Sequence, residues 1–250
     1  MDNRIYQDFV ELALSLARAK RVKRMVAGLF YTYAEVERTG AGLAYLEREA
    51  IESCCEAGGT SYWKQPADLI IKNYLTSHPV ESSLALAVMN ALFNHRKEVL
   101  KDTSTDPLLE IPLNLEDEVL MIGYFEPIFK RLLGKVKRIR VIEKNEFHGG
   151  LKGLRDLKNL SLAIITSATL SNKTFHLYLP YLKEVPEVIL MGPSTPLAPE
   201  IFQATPITWL SGAIVKDSEM LFRLVCEGKG THAFFKSGAL EKINLRVKQR

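Results

Sequence analysis

The chain has 250 residues, of which 47% are hydrophobic and 25% charged, with a formal net charge of +4. That balance fits a globular protein of one or two domains and is too weakly basic to imply nucleic-acid binding by itself. The three cysteines include the adjacent pair Cys54-Cys55 and no CxxC, which argues against a disulfide framework, and no apolar run approaches the ~20 residues of a membrane span. With a polar start in place of a signal-peptide pattern, the expectation is a cytoplasmic chain with no membrane and no nucleic acid among its partners.

Ile5, Phe9, Leu12, Leu16 and Ala19 recur at helical spacing, so residues 4–20 read as an amphipathic helix. Residues 25–36 are rich in aromatic and branched side chains and read as a strand; Gly40 and Gly42 make a turn, and Ala41–Leu46 returns as a second strand. A helix follows over 66–77, starting at Pro66. Residues 80–95 are apolar around most of a helix surface, which places Asn90 in the interior, where its amide needs partners. Residues 100–115 carry Asp and Pro with little helical period and form the best linker.

From 116 strands and helices alternate. Strands are expected at Val119–Gly123, Val136–Ile142, Leu162–Thr166, Val188–Met191, Ile207–Leu210 and Leu240–Val247. Helices are expected from Pro127 to Leu133, over Leu151–Leu157, over about Asn172–Lys183 and over Lys216–Cys226. Alternation of this kind implies a parallel sheet with right-handed crossovers, whose ligands bind outside the carboxyl ends of the strands.

Two strand ends break into small hydroxyl residues, Thr166-Ser-Ala-Thr-Leu-Ser-Asn-Lys-Thr174 and Gly192-Pro-Ser-Thr-Pro-Leu197. One or two hydroxyls of the first loop must cap the helix after it, and the others are available to an anion. In the second loop, the amides of Ser194 and Thr195 could form an anion nest, or the prolines could simply stiffen a turn. Gly123 and Glu143 end successive strands at the separation of a nucleotide-binding βαβ unit, without its glycine fingerprint. None of the histidines pairs at metal-ligand spacing; His148 lies nearest the expected cleft, and a structural role suits it as well.

Asn90-Ala-Leu92, Met121-Ile-Gly-Tyr-Phe-Glu-Pro127, Glu143, the two hydroxyl loops and Ser211-Gly212 together resemble the putative heavy-metal chelation domain family over nearly the whole chain. The resemblance implies an α/β fold: a small α+β domain like the N-terminal domain of enolase, residues 1–105, followed by a Rossmann-like, mostly parallel sheet domain, residues 106–250. It also implies an interdomain cleft to which Asn90 contributes, and condensation or hydrolysis of a small anionic or heterocyclic metabolite, pterin-, flavin- or siderophore-like, linked to metal chelation.

On that footing Glu143 and Asn90 are the candidate catalytic residues, with Glu126 an alternative base. Gly123, Tyr124, Thr166, Thr169, Asn172, Thr174, Gly192, Pro193, Ser194 and Thr195 are the candidate ligand-binding residues. The partner is a small-molecule ligand; no cofactor and no metal site is specified, and a homo-oligomer stays open. Two alternatives compete: a metal- or metallophore-binding protein without turnover, and a methyltransferase-like protein using S-adenosylmethionine.

Overall fold

A computed structural model describes residues 4–51, 61–143 and 160–248. The chain opens with helix α1 (Arg4–Leu16), then strands β1 (Val22–Ala27), β2 (Tyr31–Val36) and β3 (Gly40–Tyr45), which form an antiparallel sheet in that order. The expected single strand over 25–36 is thus a hairpin. It turns at Gly28, whose amide donates to Tyr31 O (2.9 Å) and whose place against Val225 O leaves no room for a Cβ. Gly42 lies inside β3, where an added Cβ would stand 2.3 Å from Ala91 N, so it serves a close helix–strand approach and not the turn expected there.

Helices α2 (Ala67–Ile71), continued by a 3₁₀ turn over Lys72–Leu75, and α3 (Pro79–Phe93) follow. Residues Ser82 to Phe93 are all buried, as an all-round apolar helix requires. α3 packs on β2 and β3 with one side, and its other residues join a core that includes Leu120, Ile165, Leu190 and Leu210 of the second sheet. Helix α4 is Lys97–Leu100.

The stretch read as a linker is not free. It holds β4 (Thr103–Ser104), which pairs antiparallel with β10 (Leu240–Arg246), and α5 (Pro107–Glu110), capped by the Asp106 carboxylate accepting from Leu108 N. The backbone groups of 103–104 complete the sheet edge, and a two-residue strand leaves no periodicity to read.

The large sheet has the order β4-β10-β9-β8-β7-β5-β6, with β5 (Glu118–Ile122), β6 (Arg138–Ile142), β7 (Leu160–Thr166), β8 (Glu187–Met191) and β9 (Trp209–Val215) mutually parallel. Counted from β5, the parallel strands run in a doubly wound order whose switch point lies between β5 and β7. Alternate residues feed two cores: Leu120, Ala163 and Leu190 face α3, while Val119, Leu162 and Ile189 face Leu132 of α6 (Glu126–Leu132).

The expected helix over 172–183 is broken into α7 (Ala168–Ser171), α8 (Phe175–Tyr178) and a 3₁₀ turn, because Lys173 takes a left-handed φ of 57° between them. After α9 (Pro199–Phe202), helix α10 (Ser218–Cys226) starts where Asp217 accepts from Met220 N, two residues later than expected. The short helix α11 (Thr231–Lys236) was not foreseen. α10 and α11 cover the outer face of the small sheet, so Leu221, Val225 and Phe234 share a core with Tyr33 and Leu43. The expected helix over Leu151–Leu157, and Cys54, Cys55 and His148, lie outside the described residues. Among the described residues, no helix is long and apolar enough to cross a membrane.

Candidate functional site

A cavity of about 860 Å³ lies at the carboxyl ends of the parallel strands. Thr166 and Ser167 come to it from β7, Met191 to Ser194 from β8, and Ser211 and Gly212 from β9. Tyr124 to Pro127, after β5, make one side; Tyr31 and Tyr45 of the small sheet and Thr231, His232, Phe235 and Lys236 of α11 make another, and Lys242 of β10 also contributes. A binding site is expected at this end of a doubly wound sheet, and the volume lies in the range of small-molecule pockets.

Two glycines set the shape of its floor. Gly123 has φ 84° and a Cβ there would meet Thr166 Cγ2 at 2.7 Å; Gly192 has φ 133° and its Cβ would meet Ser167 Oγ at 2.5 Å. Neither backbone state suits an L side chain, and neither site has room for one. Beyond the strands the ladder continues, Ser167 N donating to Met191 O (2.7 Å) and Gly192 N to Ser211 O (3.0 Å). The start of each loop therefore extends the hydrogen-bond ladder of the sheet. Among the described residues the Ser167 hydroxyl has no protein partner, so it is open to a ligand.

The hydroxyl loops do not act as one unit. Thr195 N donates to Gly192 O (3.0 Å), closing a tight turn, so the expected Ser194–Thr195 amide nest has lost one of its two donors. Thr195 is fully buried with its hydroxyl on Ser211 O, and Ser194 Oγ accepts from Tyr45 N (2.7 Å). Thr169 donates to Thr166 O, and Thr174 donates to Asn172 Oδ1, so these three side chains stabilise their own turn outside the cavity lining. α7 is a single turn and carries no useful helix dipole.

Asn90 is fully buried, as its helix required, but is not in the lining. Its Nδ2 donates to Leu43 O (2.7 Å) and Ser194 O (2.9 Å), stitching β3 to the loop after β8. One turn on, Asn94 donates to Thr195 O (3.1 Å) and Ala213 O (3.0 Å) and accepts from Leu197 N (2.8 Å). Arg96 adds Leu197 O and an ion pair with Glu200. The carboxamides of Asn90 and Asn94 thus hold the Gly192–Leu197 loop in place, and neither is part of the cavity lining. Glu143 ends β6, is exposed and lies outside the lining. Glu126 lines the cavity and pairs with Lys130 (2.6 Å).

Of the residues picked out in sequence, the cavity brings together Tyr124, Thr166, Gly192, Pro193 and Ser194, with Gly123 beneath them. It adds Tyr31, Tyr45, Ser167, Ser211, Thr231, His232, Phe235, Lys236 and Lys242. Tyr31 OH is 2.8 Å from Thr231 Oγ1, and burial raises its pKa; burial, then Glu49, raises that of Tyr45. Both phenols are protonated at neutral pH and can donate. Lys236 has no carboxylate partner among the described residues, whereas Lys242 stands 3.8 Å from Asp106. Among the described residues, no group of three or more His, Cys, Asp or Glu side chains could hold a metal ion.

A doubly wound α/β protein with an aromatic and hydroxyl-lined cavity at its strand ends is the class that this geometry defines. The chain belongs to the DUF364 family, described as putative heavy-metal chelation, whose family model matches residues 106–244. A second model with the same description matches residues 10–93. Among solved structures, the chain is similar to a protein of unknown function from Pyrococcus horikoshii, with 19% identity, a TM-score of 0.83, and 97% of this chain and 100% of that one covered. It is also similar to one from Desulfitobacterium hafniense DCB-2, with 20% identity, a TM-score of 0.78 and 97% of each chain covered. Both are of the same family. Comparison with curated proteins finds no match.

Proposed function

We propose that the chain binds a flat, anion-bearing heterocyclic metabolite of pterin, flavin or metallophore type in the cavity at the strand ends. The observation that carries this reading is the lining itself. Tyr31, Tyr45, Tyr124, Phe125 and Phe235 supply aromatic surface, Ser167 supplies a hydroxyl, as do Ser211 and Thr231 beside their bonds to Asn244 and Tyr31, and Lys236 supplies a cation with no carboxylate partner among the described residues. Rings that present a face or an edge suit a planar π system, and neutral hydroxyls suit its heteroatom edge. Lys236 then takes the phosphate or carboxylate. In this reading the family's heavy-metal link comes through the organic ligand, which carries the ion into an aromatic pocket.

The test is a thermal-shift panel of flavins, pterins, nucleotides, S-adenosylmethionine and iron or nickel metallophores, followed by calorimetric titration of any hit. A ligand of the native state raises the melting temperature by mass action. The expected result is a shift with a planar anion, reduced in Tyr124→Ala and made salt-insensitive in Lys236→Ala. Binding that is untouched by both variants would place the ligand elsewhere. A shift with S-adenosylmethionine alone would favour methyl transfer, and a shift with bare metal salts would favour direct chelation.

A further inference from the structure

We propose that the anionic group of the ligand is a phosphomonoester, held at the open rim of the cavity by Lys236, Lys242 and His232; this rests on the binding of a flat heterocycle in the same cavity. Among the described residues, the lining sets these two lysines and one histidine against a single carboxylate, Glu126, which is already paired with Lys130 (2.6 Å). The lining is left with an excess of positive charge, and an anionic ligand answers it.

One tight reversal of the chain brings the three side chains to the same rim. His232 and Lys236 are four residues apart in α11, so they share a helix face. α11 ends at Lys236, Gly238 turns the chain with φ 75°, and β10 begins at Leu240. β10 runs antiparallel to β9 with Lys242 opposite Ala213, so Lys242 also stands near the carboxyl ends of the parallel strands. Neither His232 nor Lys236 has a hydrogen bond or ion pair among the described residues. Lys242 has a long contact of 3.8 Å to Asp106 Oδ2. Asp106 is already served at both oxygens, by Arg131 at Oδ2 (2.8 Å) and by Leu108 N at Oδ1 (3.0 Å).

A phosphomonoester fits this set better than a carboxylate does. It carries close to two negative charges at neutral pH and three terminal oxygens. A carboxylate has one charge and two oxygens, which Lys236 alone would match. Two ammonium groups balance the dianion, and the imidazole N–H supplies a donor for the third oxygen. All three side chains are exposed at the mouth, whereas Tyr31 and Tyr45 are partly buried. A hydrated dianion is costly to bury, so it stays at the rim while the ring enters toward the tyrosines.

The test compares phenyl phosphate with benzoate, two ring probes that differ in the anion, by NMR titration of the intact protein at low salt. Phenyl phosphate is expected to bind at least about tenfold more tightly, the factor that one added charge-assisted bond carries. Lys236→Gln, Lys242→Gln and His232→Ala should each reduce that preference. Their side chains are exposed, so the variants should fold. Lys183→Gln, an exposed lysine outside the lining, should leave the preference unchanged. Equal affinity for the two probes, a preference that survives all three rim variants, or no binding of phenyl phosphate overturns the proposal. Tyr124→Ala separates the phosphate subsite from the aromatic seat, because it should weaken both probes alike and keep their ratio. Equal affinities that Tyr124→Ala weakens would remove the subsite and leave the seat. A tenfold preference with affinities that Tyr124→Ala leaves untouched would keep the subsite and remove the seat.

Discussion

Replacing Lys173 by Met keeps a flexible stem against Tyr74 and removes the titrating group. In the folded wild type the amine is lowered from 10.5 to about 6 by burial. Between those two values the unfolded chain holds a proton that the folded chain does not, so wild-type stability falls as pH drops toward 6. Linkage sets the slope at about 1.4 kcal/mol per pH unit inside that window and at zero outside it. From pH 6.5 to pH 8.5, wild type should gain about 2 kcal/mol that Lys173→Met does not gain, after allowance for relaxation around the charge. At pH 7 the variant should be the more stable protein. Tyr6 and His176 titrate in both proteins, so their contributions cancel in the difference. The assay is urea denaturation of both proteins at half-unit pH intervals, with equal m-values as the check that the unfolded states match. Parallel profiles, or a variant that is less stable at pH 7, would refute the buried, uncharged amine.

The loop after β8 gives further tests. Asn94→Ala strips partners from Thr195 O, Ala213 O and Leu197 N, and should cost about 2–5 kcal/mol in denaturant unfolding while loosening ligand binding. Gly192→Ala forces a Cβ against Ser167 Oγ at a left-handed φ, and should lower stability by about 1–3 kcal/mol, measurable as a drop in melting temperature. Glu143→Gln should leave ligand affinity unchanged in calorimetry, since that carboxylate is outside the lining.

The strand ends were readable because apolar runs stop abruptly at Thr166 and Met191, and each is followed by small hydroxyl residues. The buried place of Asn90 was readable from its all-apolar helix, but its role was not. Only the fold shows that its two N–H bonds go to carbonyls of Leu43 and Ser194, 47 and 104 residues away. The opposite wall was hidden for the same reason. Tyr45 reaches Ser194 across 149 residues, and the six-residue α11 between Gly230 and Gly238 is too short to show a period. Lys173 was hidden inside an expected helix, and its backbone φ of 57° breaks that helix and turns the amine away from the cavity. The two-residue β4 shows the same limit, because pairing across the sheet, and not local propensity, makes it a strand.

The central claim is that a flat anionic heterocycle sits between Tyr124 and the Tyr45–Phe235 side of the cavity. The most direct measurement is a crystal structure of the protein grown with the compound giving the largest thermal shift. The expected map shows the ring system against Tyr124, its polar edge on Ser167 Oγ, and its anionic group within hydrogen-bond reach of Lys236 Nζ. A compound found outside this cavity, or one seated there with Ser167 and Lys236 untouched, would contradict the assignment.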